Sequence, residues 1–134
     1  MTMRLDRSKT LEELEEEVWK EPHGEYVSPL VARCHALRTK SIGEFTPGDL
    51  RIMIGQEIGL LFLVPLAIQV LKSAPLVEGD YFPGDLLKSV LRLDQAFWRE
   101  EPDLYAHIQA IINNLRVVPS EIAEEATHFR HLIL

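Results

Sequence analysis

The sequence contains a single cysteine, Cys34, so an internal disulfide and a metal site built on several cysteines are both excluded. Long hydrophobic runs are also missing. The stretch without charged or amide side chains at 58–68 is 11 residues long, whereas a membrane-spanning helix needs about 20. Residues 1–7 carry charges but no apolar segment typical of a secretory signal. These absences predict a cytoplasmic protein that does not insert into membranes.

An excess of basic residues is lacking as well. The chain has 21 acidic and 14 basic residues, and its net charge is −7. Direct nucleic-acid binding needs a basic face that contacts phosphates, so this charge disfavours it. The same charge suits a basic protein partner.

No pattern of catalytic residues is present. The sequence has neither a glycine-rich phosphate loop nor a Gly-x-Ser-x-Gly nucleophile motif. Glu124, His128 and His131 share one helical face, but no fourth ligand is evident, and a solvated face is the preferred interpretation. Cys34 and His35 are adjacent on a helix and point in different directions; Cys34 shares an apolar stripe and is predicted to be buried. We therefore predict no enzyme activity, metal or cofactor.

Hydrophobic residues recur at helical spacing along the whole chain, which predicts an all-α fold. At 134 residues, the simplest organisation is one helical domain spanning 1–134, in which residues 1–9 form a flexible N-terminal segment. Seven helices are predicted in one compact bundle, and they begin at Thr10, Ser28, Thr46, Leu61, Pro83, Pro102 and Ser120.

Three details of this prediction can be tested directly. The first helix is expected to reach about Lys20, and residues 94–99 are expected to form a short turn. The fourth helix is apolar on every side, so it should lie at the centre. Pro65 is expected in its first turn; if the helix begins earlier, Pro65 should kink it. The last helix is expected to carry an apolar stripe as far as Ile133.

The tetrapeptide Pro-Gly-Asp-Leu occurs twice, at 47–50 and 83–86. Proline suits the first helical position, and an aspartate in the first turn meets unpaired amides and the positive end of the helix dipole. Two helix starts explain the pair. A weak duplication of a helical unit is the alternative, because the 36-residue spacing lies near the roughly 34-residue period of helical repeats.

Acidic and aromatic residues are mixed between positions 78 and 103. Such a mixture suits a surface that attracts a basic partner by charge and anchors it by apolar burial. The alternative is that the acids cover exposed faces while the aromatics fill the core. The candidate binding residues are Glu78, Asp80, Tyr81, Phe82 and Asp85.

The order of several short segments resembles one bacterial family. They are Leu-Glu-Glu-Leu-Glu at 11–15, Cys-His-Ala-Leu-Arg at 34–38, Phe-Thr-Pro-Gly-Asp-Leu-Arg at 45–51, Leu-Val-Pro-Leu-Ala at 63–67, Glu-Gly-Asp-Tyr-Phe-Pro-Gly-Asp-Leu-Leu at 78–87 and Phe-Trp at 97–98. Together they resemble the immunity proteins of contact-dependent growth inhibition (CDI) systems, over about residues 10 to 100.

The resemblance implies a non-catalytic antitoxin in the cytoplasm. Such a protein binds the cognate toxin domain that a neighbouring cell delivers, and it blocks the active site or the access of substrate. Many delivered toxins are nucleases with basic surfaces, which an acidic inhibitor would occlude by mimicking phosphate charge. The alternative is a small helical adaptor or regulatory protein that binds an unrelated protein partner.

Overall fold

The computed structural model describes residues 5–21 and 27–134. Over these residues it contains eight α-helices and one 3-10 helix but no strand, so the predicted all-α class is confirmed. The chain divides into two compact units, Met1–Phe45 and Thr46–Leu134. The expectation of one domain stays a prediction, and the two units are described in turn.

The first unit contains α1 (Leu11–Glu15), α2 (Pro29–Leu37) and the 3-10 helix Ile42–Glu44. Thr10 begins α1 with the predicted capping box, in which its side chain accepts the Glu13 amide and the Glu13 carboxylate accepts the Thr10 amide. The expected extension of α1 to about Lys20 is wrong. Glu16 adopts a left-handed conformation (φ 53°), and the amide of Glu17 donates to the carbonyl of Glu12 at 3.1 Å.

Arg38 stabilises the chain just after α1. Its guanidinium pairs with the carboxylate of Glu15 and donates to the backbone carbonyl of Glu17. The ring of Trp19 covers it, with 4.3 Å between the guanidinium carbon and the ring centroid. Arg38 is almost completely buried, and these contacts replace the hydration of its two terminal nitrogens, whereas its Nε–H has no hydrogen-bond partner among the described residues.

The N-terminal segment also makes hydrogen bonds within the first unit. The carbonyls of Arg7 and Lys9 accept the amides of Gly43 and Ile42, each at 2.9 Å. Residues 1–4 lie outside the described residues. Flexibility of the segment 1–9 therefore stays a prediction.

The second unit is a bundle of six helices: α3 (Pro47–Gly55), α4 (Leu60–Ser73), α5 (Asp85–Leu91), α6 (Gln95–Glu100), α7 (Pro102–Asn113) and α8 (Ser120–Arg130). Helix α4 contacts α3, α5 and α7, as its apolar sequence predicts. Helix α5 contacts α3, α4 and α8, so the core lies around both α4 and α5. Fully buried side chains from all six helices fill it, including Met53, Leu63, Leu86, Trp98, Ile112 and Phe129.

Three sequence-based expectations about this unit are wrong. Helix α4 begins at Leu60, so Pro65 lies inside the helix and not in its first turn. Residues 95–100 form α6, because the Asp94 side chain accepts the amide of Ala96 at 3.0 Å and caps it. Helix α8 ends at Arg130, which leaves Ile133 outside the helix and 84% exposed.

Aromatic rings pack together where α6, α7 and α8 contribute to the core. Trp98 is fully buried, and its ring lies edge-on to the rings of Phe97, Tyr105 and Phe129 at centroid distances of 5.1, 5.9 and 5.4 Å. The indole Nε1–H has no hydrogen-bond partner among the described residues. The hydroxyl of Tyr105 donates to the backbone carbonyl of Phe129 at 3.0 Å, which ties α7 to α8.

Candidate functional site

The two Pro-Gly-Asp-Leu copies begin their helices differently. In the first copy Pro47 occupies the first turn of α3, and Thr46 and Asp49 form a capping box with N···O distances of 3.0 and 3.1 Å. In the second copy α5 begins only at Asp85, after Gly84 in a left-handed conformation (φ 94°). Two helix starts are therefore confirmed, but Pro83 precedes the second helix and does not open it.

Residues 78–83, hereafter the 78–83 loop, are closed by an antiparallel bridge between Glu78 and Pro83. The carboxylate of Asp85 accepts hydrogen bonds from the backbone of this loop. Its Oδ1 accepts the amide of Gly79 at 2.6 Å, and its Oδ2 accepts the amides of Asp80 and Tyr81 at 3.0 Å each. Charge-assisted bonds of this kind are stronger than neutral ones, so Asp85 fixes the loop backbone.

The loop lies directly against the first turn of α3. A Cβ atom added to Gly79 would lie 3.3 Å from the Cα of Gly48, and one added to Gly48 would lie 2.5 Å from Oδ1 of Asp80. Only residues without a side chain allow so close an approach. The second Pro-Gly-Asp-Leu copy thus holds a loop that rests on the first copy.

Arg51 of α3 connects this contact to the loop side chains. Its Nη2 donates to Oδ2 of Asp80 at 2.8 Å, and its Nε lies 3.8 Å from Oδ2 of Asp85. The guanidinium carbon also lies 4.6 Å from the centroid of the Tyr81 ring, a cation–π distance. Sequence reasoning missed Arg51, because nothing in its local pattern distinguishes it from a solvated helix residue.

The five candidate binding residues are close in space but differ in exposure. Glu78, Asp80 and Tyr81 are exposed, and Phe82 is half-buried. Tyr81 is the most accessible aromatic of the set at 73% exposure. Asp85, in contrast, is only 4% exposed, and its carboxylate is occupied by the loop amides.

A groove of about 470 Å³ opens beside the loop, between α3 and α5. Its walls carry three cationic side chains, from Arg51, Lys88 and Arg92, and two carboxylates, from Glu57 and Asp85. Tyr81 and Phe82 add apolar surface, whereas Ile54 and Leu93, which also line the groove, are buried. The groove could not be predicted from the sequence, because its cationic residues come from two separate segments of the chain and are close to acidic residues in each.

The sequence profile of the CDI immunity proteins matches residues 13–108. The chain belongs to the CDI immunity proteins. This matched range includes the 78–83 loop, Arg51 and the groove of the immunity protein, whereas α8 lies outside it. No curated protein matches the chain. The family assignment gives the chain an immunity role.

The remaining candidate residues of this immunity protein are Cys34, Glu124, His128 and His131. Within residues 5–21 and 27–134, no three His, Cys, Asp or Glu side chains are arranged to hold a metal ion. His131 is engaged locally, with Nδ1 2.7 Å from the carbonyl of Thr127. Cys34 is buried as predicted, and burial raises the pKa of its thiol. None of the helices in the described ranges is long and apolar enough to cross a membrane.

Proposed function

We propose that this immunity protein neutralises a contact-delivered toxin domain by binding it with the 78–83 loop and the adjoining surface. The bound immunity protein would cover the active site of the toxin or the surface that receives its substrate. Family membership supports the class of partner. The proposed site of action is the cytoplasm of the cell that receives the toxin.

The observation that carries the proposal is the way Tyr81 is presented. Its ring is 73% exposed, yet the backbone amide of Tyr81 is held by Asp85 and its ring lies against Arg51. Aromatic anchors of this kind supply much of the binding energy at protein interfaces. Because the loop is already ordered, little conformational entropy is lost when it binds a partner.

Charge supports a basic toxin as the partner. The net charge of −7 accelerates encounter with a basic surface, such as the substrate-binding face of a nuclease. Of the loop acids, Glu78 is exposed, whereas Asp80 is paired with Arg51. We therefore assign the direct charge contact to Glu78, the apolar contact to Tyr81 and Phe82, and a positioning role to Asp80 and Asp85.

The test is co-expression of the chain with the toxin domain encoded by the neighbouring gene, combined with kinetics on the purified pair. Tyr81→Ala should raise the dissociation rate by roughly 10- to 30-fold, on the order of 2 kcal/mol for a buried anchor. Val117→Ala is the matched control, because Val117 is 76% exposed in the connection between α7 and α8. It should leave the dissociation rate unchanged.

A second pair of variants tests the charge contact. Glu78→Lys should slow association and flatten its dependence on salt, because favourable steering becomes repulsion. Glu100→Lys, at an exposed position in α6, makes the same change in net charge and serves as the control. Death of toxin-expressing cells despite folded wild-type protein would refute the function. Full protection by Tyr81→Ala and Glu78→Lys would refute only the assigned surface.

A further inference from the structure

Three cationic side chains, from Arg51, Lys88 and Arg92, line the groove between α3 and α5, although the net charge of the chain is −7. We infer that the groove receives one acidic side chain of the toxin domain, whose carboxylate is held between Lys88 and Arg92. This inference rests on the proposed function. It adds a second contact beside the 78–83 loop, in which cations of this chain bind a carboxylate of the toxin. It concerns a single carboxylate and not a nucleic-acid phosphate backbone.

Lys88 lies in α5 and Arg92 is the residue that caps its C-terminus in a helical conformation, so the two are one turn apart and their side chains share a face. The Nζ of Lys88 lies 4.0 Å from Oε1 of Glu125 and 5.7 Å from the centroid of the Phe82 ring. Arg92 is exposed and forms no ion pair with any residue in the described part of the chain. The ammonium group of Lys88 is therefore held in position, and the guanidinium of Arg92 can pair with an incoming carboxylate.

The third cation of the groove is already used. Arg51 is neutralised by Asp80 and Asp85, and its ring contact with Tyr81 covers one face of the guanidinium. Lys88 faces the carboxylate of Glu125, so Arg92 is the wall cation that has no ion pair within the described part of the chain. One carboxylate would pair with Arg92, whereas a polyanion would meet the neighbouring carboxylates and the net charge of −7.

The dimensions and lining of the groove also suit an amino-acid side chain. A volume of about 470 Å³ falls within the range of roughly 300–1,000 Å³ typical of small-ligand pockets. Tyr81, which is exposed, and Phe82, which is half-buried, offer apolar contacts to the methylene groups of a glutamate or aspartate. Arginine binds a carboxylate with two parallel hydrogen bonds, which fixes the orientation of the partner.

This contact would give selectivity that overall charge cannot provide. Long-range attraction draws many basic proteins to an acidic surface, but only a partner with an acidic residue in the right place satisfies the groove. The groove would thus set the register of the complex, after the acidic surface has accelerated encounter.

The test compares two double variants with the same change in net charge. Lys88→Glu with Arg92→Glu should raise the Kd for the purified toxin domain of the neighbouring gene by about 10-fold or more. Lys72→Glu with Arg116→Glu, at exposed positions outside the groove, should change it by less than about 3-fold. Lys88→Gln with Arg92→Gln repeats the test without charge reversal, should the reversed variant unfold.

Rescue identifies the occupant of the groove. Each exposed Asp or Glu of the toxin is replaced by Lys, and one such variant should bind the reversed groove about 10-fold better than wild-type toxin does. The inference would be overturned if the groove and control variants bound the toxin with equal affinity, or if no toxin variant restored binding to the reversed groove. The proposed function would stand in either case. Failure of the wild-type chain to bind the toxin would overturn both. Binding of a short single-stranded RNA that needs Lys88 and Arg92 would also overturn it.

Discussion

Asp49 and Asp85 occupy the same position in two copies of one tetrapeptide, yet their carboxylates accept different backbone amides. Asp49 accepts the amide of Thr46 at the start of its own helix, at 3.0 Å. Asp85 accepts the amides of three consecutive residues in the preceding loop, at 2.6 to 3.0 Å. The same four residues thus cap a helix in one place and hold the backbone of the 78–83 loop in the other.

Asp85→Asn should destabilise the protein by about 2 kcal/mol, because an amide group cannot accept all three loop amides and one buried donor loses its partner. Asp94→Asn is the control, since Asp94 accepts a single amide at an exposed helix start, where Asn caps equally well. Urea unfolding followed by circular dichroism measures both variants. Equal midpoints would show that Asp85 does not support the loop.

Gly48→Ala should be less stable than Gly55→Ala by about 1 kcal/mol, although both glycines lie in α3. A Cβ at Gly48 meets the Asp80 carboxylate at 2.5 Å and must displace it from Arg51, whereas nothing lies within 4 Å of a Cβ at Gly55. The second substitution should stabilise the helix by about 0.5–1 kcal/mol. Thermal unfolding of the pair provides the comparison, and a stabilised Gly48→Ala variant would contradict the close approach.

Ile112→Ala should cost about 2–5 kcal/mol, because Ile112 is fully buried and its truncation leaves a cavity. Ile133→Ala should cost almost nothing, since Ile133 is 84% exposed. Denaturant midpoints at constant m-value distinguish the two. A neutral Ile112→Ala would remove α7 from the core described above.

Arg38→Lys should destabilise the first unit by about 1–3 kcal/mol. Lysine keeps the charge but cannot contact both the Glu15 carboxylate and the Glu17 carbonyl with a planar group beneath Trp19. Arg116→Lys, at an exposed position, is the control. Unchanged unfolding of Arg38→Lys would mean that charge alone, without the guanidinium geometry, suffices there.

Cys34 should react slowly with iodoacetamide in the folded protein at pH 8 and rapidly in denaturant. Burial raises the pKa of the thiol, so the reactive thiolate is scarcer in the folded state than in the unfolded state. Because the folded-state pKa is raised, stability should fall as the pH rises above the pKa of the unfolded thiol. Labelling rates that do not depend on denaturant would contradict this environment.

The sequence alone predicted helix starts well, because Thr10 and Thr46 cap by local hydrogen bonds that a few neighbouring residues determine. The sequence-based prediction was wrong where contacts between distant residues determine the local backbone. No glycine marks the end of α1, where Glu16 adopts a left-handed conformation close to the Arg38 contacts. Pro65 lies inside α4, a position that local rules disfavour.

The candidate loop was predictable as a location but not as a geometry. Its acids and aromatics are visible in the sequence, so Tyr81 was a natural choice for an exposed anchor. The burial of Asp85 and the pairing of Asp80 with Arg51 depend on contacts between α3 and the loop, 29 residues apart for that ion pair. Side-chain composition cannot separate an acid that meets a partner from one that holds its own backbone.

Each compact unit contains one of the two tryptophans of the chain, Trp19 in the first and Trp98 in the second. The indole of Trp98 is buried among aromatic rings and has no hydrogen-bond partner in the described structure. Its fluorescence emission should therefore lie at short wavelength in the folded protein and shift to longer wavelength on unfolding. Trp19→Phe would leave an optical signal from residues 46–134 alone, and Trp98→Phe one from residues 1–45. The chain thus carries its own pair of spectroscopic reporters, with which the cooperativity of the two units can be measured without any attached dye.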